Sequence, residues 1–126
     1  MRESKEYNLY KAVATYLRLQ YPKVIYRFDM AGVNLSKAAA GRNKAIQHSS
    51  GYPDLFIAEP KNRFHGLYIE LKAEGTRLRK ANGLPASEHI AEQMNRLSEL
   101  QDRGYDCYLS AGFDNTKMII DQYLKR

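Results

Sequence analysis

Gly51-Tyr52-Pro53-Asp54-Leu55-Phe56-Ile57 and Leu67-Tyr68-Ile69-Glu70-Leu71-Lys72 read as the two arms of one β-hairpin, and their pairing decides how the rest of the chain is arranged. In the second arm the alternation is clean: Leu67, Ile69 and Leu71 face one side, while Tyr68, Glu70 and Lys72 face the other. Residues 59–65 form the turn, with Pro60 and Asn62 supplying its chemistry. A turn centred near Asn62 sets Asp54 directly opposite Glu70. Polar positions of half-exposed strands are the commonplace explanation of such residues, but like charges facing each other across a ladder are destabilising. The register therefore asks for positive charge between two carboxylates. A divalent cation supplies it, and oxygen-only ligands suit magnesium or manganese better than zinc.

Working outward, each flanking segment carries its own punctuation. A helix from Ser4 to about Gln20 sets Leu9, Val13, Tyr16 and Leu17 on one stripe, and Pro22 enforces its stop. Val24-Ile25-Tyr26-Arg27-Phe28 reads as the first strand. From Met30 to Ser50, glycines, small residues and cations predict a mobile basic loop with a helical turn around Ser36 to Ala40. Loops of that length are usually functional or disordered. Asp54 to Ala58 is the second strand and Gly66 to Lys72 the third. A second basic stretch, residues 75–87, contains Gly83-Leu84-Pro85 and leads to a helix that starts after Ser87. That helix carries Ile90, Met94, Leu97 and Leu100 on its stripe, Gln93 at the stripe's edge, and Gly104 at its end. Tyr105 to Ser110 is the fourth strand, and Asp114 is expected to cap a final helix reaching Leu124. The order is α-β-β-β-α-β-α, one α/β domain over residues 1–126, a size that one hydrophobic core can serve.

Hydrophobic residues make up 44% and charged residues 27% of the chain, an ordinary globular balance that excludes disordered and membrane-embedded classes. The polar start, Met1-Arg2-Glu3-Ser4-Lys5-Glu6, leads into no apolar run, so a secretory signal and a membrane span are not expected and a cytoplasmic location is. Cys107 has no partner for a disulfide and reads as packing. His48, His65 and His89 lack the spacing of a zinc site. A formal net charge of +6 favours an acidic partner, and for a small domain nucleic acid is the default polyanion.

In its element order, with Pro53-Asp54 opening the second strand and Glu70-Leu71-Lys72 closing the third, the chain resembles the PD-(D/E)XK nuclease superfamily. Gly51-Tyr52-Pro53-Asp54-Leu55, Glu70-Leu71-Lys72, Gln93 and Gly104 together resemble the VRR-NUC family of virus-type replication-repair nucleases, across nearly the whole chain. Pro-Asp and Glu-x-Lys are common strings, but on adjacent strands between two helices they form a fairly specific combination. The resemblance implies a restriction-endonuclease-like αβββαβ core, a mixed sheet flanked by helices; the extra C-terminal helix, read as peripheral, departs from the family pattern. The resemblance also implies Mg2+ (or Mn2+) held by Asp54, Glu70 and the Leu71 carbonyl. Glu6, or else Glu3, would be the N-terminal acid, touching the metal directly or through water, or holding a second ion. A first-turn acid is also stabilised by the helix dipole alone. Lys72 would stand beside the attacking water, orienting or deprotonating it or offsetting developing charge, with Gln93 near the catalytic centre. The implied activity is endonucleolytic hydrolysis of phosphodiester bonds in branched DNA such as Holliday junctions or flaps, by a homodimer in a bacterial or phage-infected cell.

Lys37, Arg42 and Lys44 before the Pro-Asp step, with Arg77, Arg79 and Lys80 after Glu-Leu-Lys, bracket the site in sequence and are candidate phosphate contacts. Such contacts position DNA without reading its bases. Solvated surface charge is the plain alternative. Tyr52, beside Asp54, is placed either to stack on a base or sugar or to pack. Two other functions fit the same composition: a non-catalytic nucleic-acid-binding module, which binds DNA salt-sensitively and never nicks it, and a basic protein-interaction domain, which has no DNA affinity near physiological salt.

Overall fold

The strand Leu67–Lys72, β3, is buried at every position but its last, so it must be covered on both faces. The structure is a computed structural model and describes residues 4–29, 36–48 and 51–125. Around β3 stand α1 (Lys5–Gln20), β1 (Tyr26–Phe28), α2 (Lys37–Ala45), β2 (Leu55–Ile57), α3 (Glu88–Asp102), β4 (Asp106–Ala111) and α4 (Phe113–Leu124). The strand order is β1-β2-β3-β4, antiparallel at the first two joins and parallel at the third, where α3 is the crossover. This is the mixed α/β sheet expected from the sequence.

Alternation decides which helix covers which face. Leu55, Ile57, Leu67, Ile69 and Leu71 meet Tyr10, Val13 and Leu17 of α1 and Ile119, Ile120, Tyr123 and Leu124 of α4. On the other face Tyr68 and Cys107 pack with Leu97 of α3. Each large aliphatic side chain fully withdrawn from water contributes about 1.5–3 kcal/mol. Ser4 and Ser87 cap α1 and α3, their hydroxyl oxygens accepting from the N–H of Tyr7 at 3.0 Å and of Ile90 at 3.2 Å.

Three expectations are corrected. The single turn around Ser36 to Ala40 is a nine-residue helix, α2, which buries none of its residues; Ala38 to Ala40 supply the propensity, and Ser36 the cap. Asp114 is not the cap of α4: Gly112 holds that position, and Asp114 lies in the first turn. The final helix is not peripheral either. Ile119, Ile120, Tyr123 and Leu124 recur at helical spacing and form part of the main core, and Ile120 is completely buried. Asp121 fastens α4 to α1, since its Oδ1 accepts from the hydroxyls of Tyr16 and Tyr21 at 2.5 and 2.6 Å.

The turn between β2 and β3 is centred between Asn62 and Arg63, both at positive φ (49° and 74°). Phe64 N–H donates to the Lys61 carbonyl at 2.8 Å, and Lys61 N–H returns the bond at 3.2 Å. Both φ values being positive matches the type I′ turn that two-residue hairpin loops favour. An unbroken ladder counted back from Lys61 and Phe64 would pair Ile57 with Tyr68 and Asp54 with Leu71. Ile57 instead pairs with Leu67 and Leu55 with Ile69, so the β2 side carries one extra residue across 58–60, the count of a β-bulge. One step beyond Leu55, this register sets Asp54 opposite Glu70. Gly66 closes the bulged end, where a Cβ would come within 2.8 Å of the Ile57 carbonyl oxygen and the Phe56 ring.

Candidate active site

Hydrogen-bonded and non-hydrogen-bonded pairs alternate along an antiparallel ladder, and two bonds to β1 fix the phase. Asp29 N–H donates to the Asp54 carbonyl at 2.7 Å, and Ala58 N–H donates to the Ile25 carbonyl at 2.8 Å. Asp54, Phe56 and Ala58 therefore turn their peptide groups toward β1, and Leu55 and Ile57 turn theirs toward β3. Asp54 and Glu70 are thus a non-hydrogen-bonded pair, the kind whose side chains come closest. The next backbone exchange with β3 falls to Pro53, opposite Leu71. Proline has no N–H to give the Leu71 carbonyl. The Leu71 N–H donates instead to Oδ2 of Asp54 at 2.8 Å.

Both carboxylates are withdrawn from water, Asp54 at 6% exposed and Glu70 at 3%. Gln93 is likewise buried, not at the edge of its stripe, and donates from Nε2 to Glu70 Oε1 at 3.0 Å. Among the described residues Glu70 Oε2 and Gln93 Oε1 have no hydrogen-bond partner. A buried carboxylate oxygen without a donor costs free energy. Beside a second carboxylate, a shared proton or a bridging cation would relieve that cost. Burial first, and then contact with Asp54, pushes the Glu70 carboxyl up to about 10, against the opposing pull of Lys72.

Lys72 is half-buried on the same face as Glu70, two residues further along β3. Glu6 lies in the first turn of α1. Its carboxyl is raised by burial and by Asp54 while Lys72 and His89 lower it, which puts Glu6 within electrostatic reach of the site. Glu3, the alternative acid, lies outside the described residues. Tyr10 had no assigned role in the site. Its hydroxyl is buried, and burial followed by the Asp54 carboxylate raises the phenol well above its ordinary range. The clue was in the spacing, because Tyr10 stands one helical turn from Glu6 and shares its face. Asp29 was also passed over, since its place beside Asp54 depends on the pairing of β1.

The donor set suits a hard divalent cation: two buried carboxylates, one with an unpartnered oxygen, and a Leu71 carbonyl that its ladder neighbour cannot satisfy. Among the described residues no three His, Cys, Asp or Glu side chains converge as a metal cluster.

The candidate phosphate contacts fall into two groups. Lys37, Arg42 and Lys44 lie on the exposed helix α2, and Arg77, Arg79 and Lys80 on an exposed hairpin between β3 and α3. Tyr52 packs its ring edge-on against Tyr68 at 5.4 Å and shares a 2.5 Å hydroxyl contact with it, while 44% of the residue stays exposed. No helix among the described residues is long and apolar enough to cross a membrane.

Among solved structures, the chain is similar to one described as a "VRR_NUC domain protein", with a TM-score of 0.69 and 25% sequence identity, over 99% of this chain and 92% of that one. No protein-family model and no curated protein matches the chain. The structural likeness supports the VRR-NUC family that the Pro-Asp and Glu-x-Lys motifs indicate.

Proposed function

We propose, from the premise that this chain is a nuclease domain of the VRR-NUC type, that it is a Mg2+- or Mn2+-dependent DNA endonuclease selective for branched structures. Residues 1–126 would act as one nuclease domain, as a homodimer presenting two sites to paired strands. The observation that carries this reading is the buried Asp54–Glu70 pair with an unpartnered Glu70 oxygen beside a half-buried lysine.

Asp54, Glu70 and the Leu71 carbonyl would hold the cation. When bound, it supplies Lewis-acid polarisation of the scissile phosphate and a more acidic water. Gln93 fixes Glu70 through Oε1 and leaves Oε2 without a hydrogen-bond partner among the described residues. Lys72 orients the attacking water and offsets negative charge building on the phosphate oxygens. The water oxygen forms the new bond to phosphorus as the bond to the leaving sugar oxygen breaks. That oxygen takes up a proton, so the products are a phosphomonoester and a hydroxyl. Lys37, Arg42, Lys44, Arg77, Arg79 and Lys80 would neutralise flanking phosphates.

The test is incubation with labelled four-way, flap, nicked, single-stranded and continuous duplex DNA, in magnesium or in EDTA. Cleavage should favour the branched forms, require magnesium, and fall on the order of 10²–10³-fold in Glu70→Ala. Cleavage that survives both EDTA and the substitution overturns the assignment.

A further inference from the structure

Between β3 and α3 the chain builds a hairpin that the sheet does not need. Ala86 N–H donates to the Leu78 carbonyl at 3.0 Å and Lys80 N–H to the Leu84 carbonyl at 2.7 Å, closing a short ribbon. Gly83 N–H donates to the Lys80 carbonyl at 2.9 Å, and Gly83 itself sits at φ 86°. This fits the three-residue loop in which a turn is followed by a left-handed glycine. Side chains brace it: Asn82 Oδ1 accepts from Leu84 N–H at 3.1 Å, and Arg79 Nη1 donates to the Gly83 carbonyl at 2.7 Å. None of residues 73–89 is buried. The ribbon is held by its own bonds rather than by the core.

Its two feet stand at the site. One, at Leu78, is joined to Lys72 through residues 73–77, and the other enters Ser87, the cap of the helix that presents Gln93 to Glu70. Leu84, just past the loop, is 58% exposed. Arg77, Arg79 and Lys80 are exposed and form no ion pair among the described residues. A single exposed leucine is ordinary on a protein surface. Here it is mounted on a braced, cationic projection rooted beside two catalytic candidates.

We infer that this hairpin is a wedge, with Leu84 entering the break in base stacking at a DNA branch while Arg77, Arg79 and Lys80 hold the phosphates around it. The inference rests on the nuclease reading above and adds to it the element that selects a branch. Apolar side chains inserted between base steps unstack them at a cost in free energy. That cost is least where pairing is already broken, so a continuous duplex is disfavoured relative to a flap or junction. A symmetric contact between two copies at this face would set cations against cations, which favours DNA as the occupant.

The experiment uses the full chain carrying Glu70→Gln, which blocks cleavage, and a flap DNA with 2-aminopurine at the pair adjoining the branch. A continuous duplex with the same label is the control. Binding should raise the fluorescence of the flap probe and leave the duplex probe flat. Leu84→Ala should lose the rise while anisotropy still reports binding, and Leu84→Met should restore it. With Glu70 intact, Leu84→Ala should lower the ratio of branched to single-stranded cleavage. A rise that persists in Leu84→Ala, or that never occurs, overturns the wedge. Dissociation of an oligomer by Leu84→Ala with fluorescence unchanged assigns the hairpin to self-association and also overturns it. Because fluorescence reads binding, a Leu84-dependent rise without magnesium-dependent cleavage sinks the nuclease reading alone, and cleavage without a rise sinks the wedge alone.

Discussion

Pro53 acts by what it lacks. It stands where the ladder would return an N–H to the Leu71 carbonyl, so β2 offers that oxygen no backbone donor. Pro53→Ala restores that donor. Magnesium affinity measured by titration calorimetry should fall about tenfold, the low end of what supporting groups around a metal cost. Thermal stability should stay nearly level, because a ladder bond worth about 0.5–1.5 kcal/mol offsets the freer unfolded chain. Unchanged metal affinity would show that the Leu71 carbonyl is not a ligand. Glu70 carries a pH signature. Its folded pKa is raised above the unfolded value, so its contribution is fully present below about 4.5 and is lost as pH rises toward about 10. The metal-free protein should therefore lose stability relative to Glu70→Gln between those limits, as followed by urea unfolding. Magnesium should remove most of the difference. Asp54, Glu70 and Lys72 were legible because a period of two fixes which residues share a face. Asp29 and the duty of Pro53 were less so, because they depend on which peptide groups of β2 turn toward β1, a matter of three-strand pairing, whereas Tyr10 was within reach of helical spacing from Glu6.

The helices show what periodicity can and cannot reveal. α1 and α3 announce themselves through serine caps and apolar stripes, and the structure starts both where those signals stand. α2 has no buried face, so a reading based on apolar spacing sees only a basic loop, although its alanines favour helix. The start of α4 was misplaced because Asp114 looks like a cap, whereas Gly112 leads the chain out of β4 and into the helix without a side-chain bond. The inclusion of α4 in the core follows from its join to α1. Asp121 accepts from two tyrosine hydroxyls and also lies near Lys117 and Lys125 at 3.8 and 3.9 Å. Asp121→Ala leaves both hydroxyls without that acceptor and should cost about 1–3 kcal/mol in chemical denaturation. Lys125→Ala, which removes an exposed surface ion pair to the same carboxylate, should cost well under 1 kcal/mol. Equal losses in the two variants would mean that the tyrosine bonds do not hold the helices together.

At the scale of the molecule, the net charge of +6 predicts binding that weakens steeply with salt. If Arg77, Arg79 and Lys80 each meet one phosphate, replacing all three by alanine should flatten the slope of log affinity against log salt by roughly 2.7. An unchanged slope in a salt titration with flap DNA would remove the hairpin from the DNA path. The same experiment on Lys37, Arg42 and Lys44 asks whether α2, which lends nothing to the core, is kept for its charge. The connection between β2 and β3 carries a different lesson. Counted from the turn alone, Asp54 would face Leu71; the bulge at 58–60 absorbs one residue, and the apolar partners Leu55, Ile57, Leu67 and Ile69 impose the pairing that unites the carboxylates. The register is thus anchored in the interior and paid out toward the tip. Length at Asn62–Arg63 is uncoupled from chemistry, so this tip is the place where insertions can accumulate over evolution, or where a peptide tag can be spliced, with the reacting groups left in step.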